Sequence, residues 1–138
     1  MKLYLLCVLL CLMHHHCTKS ITPSIKEKSI VVVTCMYNNE QWVEKNLTMI
    51  FNQEYKNFRL IIVDDGSTDK TAEIIEKFIA NHTIKDCITF IKNKTRKRKL
   101  ANLYNILYTV KDDDIVIIID GDDLLAHPYV FNYINNLY

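Results

Sequence analysis

Glycine and proline are both scarce in this sequence, with two of each among 138 residues. As a result, no glycine-rich loop follows the first β-branched run, Ile30 to Val33. The dinucleotide-binding fingerprint and the P-loop both need such a loop, because glycine lets the backbone approach phosphate groups closely. Both motifs are therefore excluded, and no Ser/His/Asp set stands in a recognisable nucleophile elbow.

Cysteine is present, but in no pattern that indicates a function. The chain has five cysteines, and their spacing matches no Cys-x-x-Cys metal motif. If an N-terminal leader is removed, Cys7 and Cys11 leave with it. The remaining Cys17, Cys35 and Cys87 are odd in number, so we expect buried or free thiols and no disulfide framework.

Neither sign of charge is in large excess, since the formal net charge is +1. This balance argues against wholesale binding to nucleic acid or to a membrane surface. The exception is local: six of the eight residues from Lys92 to Lys99 are cationic. Such a run is a solvated surface, a phosphate site or a nonspecific polyanion patch. Few aromatic residues interleave with it, so we expect no nucleic-acid partner.

One apolar run stands at the N-terminus. It extends from Leu3 to Met13 and follows a single positive charge at Lys2. Its length fits the apolar core of a signal peptide and falls short of the about 20 residues of a transmembrane helix. An uncleaved membrane anchor is the alternative. We predict a signal peptide or membrane anchor over 1–17, a linker over 18–28 and one domain over 29–138. The protein is then expected to be secreted or membrane-associated.

Short apolar runs alternate with amphipathic segments throughout the predicted domain. The runs predict strands over 29–34, 58–63, 87–91 and 115–119. The amphipathic segments predict helices over 39–53, from 68–71 onward, over 97–110, and from Pro128 in a first helical turn. The order βαβαβαβα is typical of a parallel sheet with helices on both faces.

Carboxylates cluster directly after the fourth of these runs. Five β-branched residues, Ile115 to Ile119, lead into Asp120-Gly121-Asp122-Asp123. A run without alternation predicts a strand that is buried on both faces. The three carboxylates repel one another unless a divalent cation lies between them, because hard cations prefer oxygen ligands. A solvated acidic turn is the alternative.

A second acidic motif follows the second run, where Leu60 to Val63 leads into Asp64-Asp65-Gly66-Ser67. If the strand order is 3-2-1-4, the first and fourth strands lie at the topological switch point of the sheet. Ligands of open α/β sheets bind there, outside the carboxyl ends of the strands. We therefore expect the tips at 34–38 and 120–123 to meet, with the tip at 64–66 beside them.

Three motifs in this order resemble the opening of the family 2 glycosyltransferases of GT-A fold. They are Val33 to Glu40, Asp64 to Asp69, and Asp120 to Asp123, and the helix from Lys99 to Asn105 is also similar to that family. The resemblance covers the chain from about Ile30 onward. It implies a Rossmann-like three-layer α/β sandwich with a mainly parallel sheet, of GT-A type and truncated.

The resemblance also implies a donor site for a nucleotide-sugar, with a UDP or GDP group. Tyr37 would lie against the base, and Asp65 would accept a hydrogen bond from it. Asp120 and Asp122 would hold Mn²⁺ or Mg²⁺ on the pyrophosphate. The full set of expected nucleotide-sugar contacts is Thr34, Tyr37, Asn38, Asp65, Lys99 and Asp120, and no catalytic residue is assigned.

The sequence departs from the family pattern in two ways. The glycines that the family carries before the third helix are replaced by the basic run. The sequence also ends at Tyr138, soon after Asp123, whereas the family's acceptor surface and catalytic base follow in its second half. We therefore expect an incomplete donor-binding domain whose acceptor, a glycan, lipid or protein, is unknown. The open hypotheses are a glycosyltransferase completed by a second chain, a nucleotide-sugar-binding remnant without turnover, and a nucleotidyltransferase.

Overall fold

The computed structural model describes residues 26–82 and 85–138. Four strands alternate with four helices along the chain. The strands are β1 (Ile30–Met36), β2 (Phe58–Asp64), β3 (Ile88–Lys92) and β4 (Ile115–Asp120). The helices are α1 (Val43–Phe51), α2 (Thr71–Asn81), α3 (Lys99–Leu107) and α4 (Val130–Leu137), and a short 3-10 helix, Lys85–Cys87, precedes β3.

All four strands are parallel and stand in the order β3-β2-β1-β4. The predicted α/β class and strand order are confirmed. β1 pairs with β4 from Ile30 opposite Ile115 to Cys35 opposite Asp120. The carboxyl ends of the strands therefore lie together at one end of the sheet, with the tips of β1 and β4 side by side.

The core forms on both faces of the sheet because successive residues of a strand point to opposite sides. On one face, Ile30 and Val32 belong to a large cluster with buried residues of α1, α2 and α4. On the other face, Val31 and Val33 pack with Ile106 of α3 in a smaller cluster. Full burial of each such side chain contributes about 1.5–3 kcal/mol to folding. This two-sided packing fixes β1 at the centre of the domain.

β4 is less buried than predicted. The uninterrupted run of β-branched residues indicated a strand covered on both faces, yet Ile118 is 45% exposed. Within the part of the chain that the structure describes, β4 pairs with β1 on one side and has no strand on the other. The prediction of burial on both faces is wrong here, because burial also depends on what flanks a strand.

Three helix starts differ from the predicted ones. α1 begins at Val43, since the carbonyl of Asn39 accepts the N–H groups of Trp42 and Val43 in a preceding turn. α3 begins at Lys99, two residues later than predicted, because the residue before it has a backbone conformation that no helix contains. α4 begins at Val130, so Pro128 precedes the helix instead of lying in its first turn.

The prediction that the protein is secreted or membrane-associated is wrong for the part of the chain that the structure describes. Across residues 26–82 and 85–138, no helix combines the length and the apolar character that crossing a bilayer requires. The segment on which the prediction was based, Leu3 to Met13, lies outside the described residues.

Candidate functional site

A cleft of about 550 Å³ opens at the carboxyl end of the sheet. Four pieces of chain surround it: the tip of β1, the loop after β2, the segment before α3, and the turn after β4. Its lining residues are Cys35, Met36, Tyr37, Asn39, Asp65, Arg96, Arg98, Lys99, Asp120, Gly121 and Asp122. Five of the predicted site residues are thus brought together: Tyr37, Asp65, Lys99, Asp120 and Asp122.

Two predicted site residues do not line the cleft. Thr34 is fully buried in the middle of β1, opposite Ile62 and Ile119, because the strand continues to Met36. Asn38 accepts a hydrogen bond from the N–H of Thr68 at 2.9 Å, and its own N–H donates to Ser67 Oγ at 3.0 Å. We therefore correct the assignment of Thr34, which belongs to the core. Asn38 ties the loop after β1 to the loop after β2, and its contact with a nucleotide-sugar stays a prediction.

Asp65 anchors the cationic residues Arg96 to Lys99, here named the basic segment. Its Oδ1 accepts hydrogen bonds from Lys97 N–H and Asn93 Nδ2, both at 2.9 Å. Its Oδ2 accepts the N–H of Arg98 at 2.7 Å. The carboxylate is only 4% exposed. Short charge-assisted bonds to backbone N–H groups are strong, so Asp65 fixes the path of the basic segment.

The pKa of Asp65 reflects this arrangement. Burial by itself raises the pKa of a carboxyl group. Here the nearby Asn102 side chain and the hydrogen bonds from Lys97 N–H, Asn93 Nδ2 and Arg98 N–H stabilise the ionised form and lower the pKa below its ordinary value. Asp65 is therefore a carboxylate at neutral pH, and its charge faces the cationic side of the cleft.

The backbone of Arg98 is strained. Its φ is +71° and its ψ is 154°, a region that is essentially reserved for glycine. Arg98 holds the conformation because Asp65 binds its N–H, and α3 then starts at the next residue.

The only two glycines of the sequence both border the cleft. Gly66 has a φ of +76°, and a Cβ on it would lie 3.1 Å from the backbone N of Arg96. At Gly121 a Cβ would lie 2.8 Å from Met36 Cγ and 3.0 Å from Asn39 Oδ1. Gly66 thus lets the basic segment pass close by, and Gly121 lets the turn after β4 pack against the tip of β1.

Arg96 covers the aromatic ring that was expected to face a nucleobase. The guanidinium carbon lies 3.7 Å from the ring centroid of Tyr37, within range for a cation–π contact. Because both residues line the cleft, the stacked pair forms one of its walls. A planar guanidinium also offers N–H donors in the ring's neighbourhood.

The carboxylates after β4 face a cation from the basic segment. Lys99 Nζ forms an ion pair and a hydrogen bond with Asp120 Oδ1. Asp122 is exposed and lines the same cleft. No group of three or more His, Cys, Asp or Glu side chains within the described ranges converges as a metal-binding set.

Asn46 binds the backbone of the turn from Asp120 to Asp123, here named the acidic turn. This residue of α1 is 1% exposed, and its Nδ2 donates to the carbonyls of Asp120 and Asp123 at 3.0 and 2.7 Å. Both bonds join segments that lie far apart in the sequence. Asn46 therefore fixes the backbone from which Asp120 and Asp122 project.

We expect Asn46→Ala to destabilise the domain by about 1–3 kcal/mol, because the carbonyls of Asp120 and Asp123 each lose a part-buried hydrogen bond. Urea unfolding measures this difference. Asn105→Ala, the same replacement at an exposed position of α3, serves as the control and is expected to change stability little. Equal unfolding free energies for the two variants would contradict the supporting role of Asn46.

Cys35 lines the cleft but is unsuited to nucleophilic catalysis. Burial raises the pKa of its thiol to about 11, although Lys99 acts in the opposite direction. A thiol with this pKa is almost entirely protonated at neutral pH, and the thiolate is the reactive form. The thiol is thus one more apolar contact in the cleft.

The sequence analysis missed several residues of the cleft. Asn39 was expected only at the start of the helix predicted over 39–53, whereas its Oδ1 accepts the N–H of Tyr37 at 2.9 Å. Arg96 stood out in the basic run but not as a partner of Tyr37. Asn46 could have been noticed, because it is a polar residue among the apolar positions of the helix predicted over 39–53. Buried asparagines in such positions usually have hydrogen-bond partners, and this could have marked it.

Comparison with known sequences identifies the family. The sequence model of the family described as Glycosyl transferase family 2 matches residues 31–136. The chain belongs to glycosyl transferase family 2. The resemblance drawn from the motifs at the strand ends is therefore confirmed.

Two curated relatives show the extent of this family 2 similarity. EpsE of Bacillus subtilis (strain 168) is 39% identical over 95 residues, which cover 69% of this chain and 33% of EpsE. The glycosyltransferase GlyG of Streptococcus pneumoniae serotype 4 (strain ATCC BAA-334 / TIGR4) is 30% identical over 109 residues, covering 79% of this chain and 34% of GlyG. The chain spans about a third of the length of these relatives.

Solved structures share the family 2 fold. The mannosyltransferase PcManGT from Pyrobaculum calidifontis, solved with GDP-Man and Mn²⁺, superposes with a TM-score of 0.70 at 24% identity, over 80% of this chain and 32% of that one. S. aureus TarS 1-349, solved with UDP-GlcNAc, gives a TM-score of 0.55 at 26% identity, over 70% of this chain and 27% of that one. The expected Rossmann-like GT-A architecture is confirmed.

Proposed function

We propose that this chain binds a nucleoside-diphosphate sugar in the cleft, together with a divalent cation, for transfer of the glycosyl group to an acceptor. One observation carries the proposal: in a member of family 2, Asp120 and Asp122 share a cleft with Tyr37 and the basic segment at the ends of β1 and β4. A departing nucleoside diphosphate gains negative charge, and cations at this place stabilise it.

The donor nucleotide is proposed to be UDP or GDP. S. aureus TarS, which is similar to this chain, has been solved with UDP-GlcNAc. The wall formed by Tyr37 and Arg96 offers an aromatic face and N–H donors to the base. Three N–H groups already occupy Asp65, and a carboxylate accepts about four hydrogen bonds. Asp65 also lines the cleft, so the predicted bond from the base to its carboxylate is part of this proposal.

The two carboxylates after β4 fit a cation that arrives with a diphosphate. Mg²⁺ is usually held by one or two carboxylates together with substrate phosphates and waters. Asp120 and Asp122 would hold Mg²⁺ or Mn²⁺ in this way, and the bound cation would act as a Lewis acid on the pyrophosphate. Lys99 and Arg98 line the same cleft and are proposed to bind the phosphate oxygens.

The acceptor side is proposed to lie on other residues of the full protein. The lining carboxylates are Asp65, held by three N–H groups, Asp120, paired with Lys99, and Asp122. Asp65 is engaged by its hydrogen bonds, and Asp120 and Asp122 are the proposed cation ligands. We therefore assign no catalytic base among them. The acceptor, a glycan, lipid or protein, and a second chain that completes the domain stay predictions. A donor-binding remnant without turnover is the second candidate, and the family match disfavours a nucleotidyltransferase.

Thermal unfolding with Mn²⁺ and either UDP or GDP tests the donor site. A ligand that binds only the folded state stabilises it by about 2.7 kcal/mol at 100 times its Kd. We expect Mn²⁺ and nucleotide together to raise the Tm of the wild type, and Asp122→Asn to lose the metal-dependent part of the increase. Asp123→Asn, the same change one residue later and outside the cleft lining, should keep it.

Two outcomes would reject this proposal. The first is no Tm increase of the wild type with either nucleotide, with or without metal. The second is a metal-dependent increase that Asp122→Asn retains in full, because the acidic cluster would then be only a solvated turn.

A further inference from the structure

Lys99 occupies the position at the carboxylate pair that a metal ion would take. Its ammonium group forms an ion pair with Asp120 Oδ1. The side chains of Lys99 and Asp120 are each 47% exposed. An ion pair of this exposure contributes little to stability, because water screens the two charges. The contact therefore neutralises Asp120 while leaving the lysine easy to displace.

The backbone holds Lys99 in this place. Lys97 and Arg98, the two residues before it, are fixed by their N–H bonds to Asp65, and Lys99 itself is the first residue of α3. Its side chain thus projects into the cleft from a rigid support. Movement of the ammonium group needs only rotation within the side chain, and no rearrangement of the loop.

A metal ion without a nucleotide meets an unfavourable site. Asp120 and Asp122 line the cleft, and the charge of Asp120 is neutralised by the ammonium group of Lys99. A divalent ion at Asp120 must displace the ammonium group or accept its repulsion. A unit positive charge a few ångströms from a divalent cation repels it even at the dielectric constant of water.

A diphosphate removes this conflict. Its oxygens give the ammonium group of Lys99 another anionic partner, and they also complete the oxygen ligands of the metal. Lys99 can then leave Asp120 without losing its ion pair. Each of the two ligands therefore favours the binding of the other, and this coupling is reciprocal by thermodynamic necessity.

We propose that Lys99 is a resident cation that keeps metal ions weakly bound until a nucleoside diphosphate displaces it from Asp120. The inference rests on the proposed donor site and adds a function for one residue in it. Lys99 makes the binding of metal and of nucleotide strongly cooperative, so that the site loads both or neither.

Mn²⁺ binding to the 138-residue protein tests the proposal directly. Electron paramagnetic resonance of free Mn²⁺ gives the Kd without a nucleotide and with saturating UDP or GDP. The variants are Lys99→Met, which keeps an unbranched side chain without the charge, and Lys99→Gln as a second neutral replacement. Lys94→Met is the matched control, since Lys94 is an exposed lysine of the same basic run outside the cleft lining.

We expect Lys99→Met and Lys99→Gln to bind Mn²⁺ alone about 3- to 5-fold more tightly than the wild type, because the metal no longer has to break an exposed and therefore weak ion pair. The factor by which nucleotide improves Mn²⁺ affinity should be large in the wild type and in Lys94→Met. In the two Lys99 variants this improvement by nucleotide should be smaller, by at least the factor by which their affinity for Mn²⁺ alone increases.

Three results would overturn the proposal: equal Mn²⁺ affinity of the wild type and both Lys99 variants, the same gain in Lys94→Met, or no Mn²⁺ binding by any variant. The donor site is judged separately, by nucleotide binding to the wild type. If nucleotide binds and Lys99 leaves Mn²⁺ affinity unchanged, the resident-cation role fails and the proposed function stands. If Mn²⁺ affinity increases in the Lys99 variants but no nucleotide binds, the proposed function and the coupling fail together.

Discussion

Asp65→Ala is expected to destabilise the domain by about 3 kcal/mol or more, because hydrogen bonds to a charged group contribute about 1.5–3 kcal/mol each and do not add fully. Three N–H groups, those of Lys97, Arg98 and Asn93, lose their acceptor in this variant. A lowering of the Tm by more than about 10 °C would accompany this loss in a domain of this size. Urea unfolding at pH 7 measures the free-energy difference.

Asp122→Ala is the matched control, since it removes an exposed carboxylate from the same cleft. We expect its unfolding free energy to lie close to that of the wild type. If Asp65→Ala and Asp122→Ala lower the unfolding free energy by the same small amount, Asp65 does not anchor the basic segment. Asp65→Asn, which keeps one oxygen acceptor and loses the charge, should fall between the two.

The contribution of Asp65 should also depend on pH. Its folded-state pKa is lowered, so the carboxylate stabilises the folded state at pH values above the unfolded pKa of about 3.9. This stabilisation is lost as the pH falls through that value and then through the lower folded-state pKa. The stability difference between the wild type and Asp65→Asn should therefore be full at pH 6 and narrow steadily below pH 4. A difference that stays constant down to pH 2 would show that the charge of Asp65 is not what stabilises the fold.

Arg98→Gly is expected to yield a more stable protein than Arg98→Ala, by about 1–2 kcal/mol. Both variants remove the guanidinium, so they differ in the backbone alone. A Cβ at this φ and ψ costs about 1–3 kcal/mol. The greater freedom of glycine in the unfolded chain offsets up to about 1 kcal/mol of the gain. Urea unfolding of the two variants side by side gives the difference.

Both Arg98 variants should bind UDP or GDP more weakly than the wild type, because each lacks one cation of the cleft. Comparison of the two variants thus separates the backbone strain at residue 98 from the contribution of the guanidinium to nucleotide binding. If the glycine variant is no more stable than the alanine variant, the conformation of residue 98 is not strained in solution.

The fold could be predicted because it depends on patterns that are local in the sequence. Runs such as Ile30 to Val33 mark strands wherever they occur, and their alternation with helices requires a parallel sheet. The carboxylates of the cleft were predictable for the same reason, since Asp65, Asp120 and Asp122 directly follow strands. In a parallel sheet all such positions lie at one end.

The wrong or missing predictions concern features that depend on where a strand ends or on contacts between residues far apart in the sequence. β1 ends two residues later than predicted, and this alone moves Thr34 from the tip into the core. The bond from Asn46 to the carbonyl of Asp120 spans 74 residues, and no periodicity indicates such a bond. The stacking of Arg96 on Tyr37 depends on the path of a loop. The strained Arg98 that helps to set this path breaks the usual preference for glycine.

The pairing of β4 with β1 also has a consequence for the order of folding. β1 and β2 are joined by one short helix and can pair early, whereas Ile30 meets Ile115 only after a long loop closes. Contacts of such high contact order form slowly, because the entropy of loop closure must be overcome first. On a ribosome, the tip of β1 and Asp65 emerge well before the acidic turn does. We expect nascent chains to acquire nucleotide affinity in one late step, when β4 docks and Asn46 captures the turn.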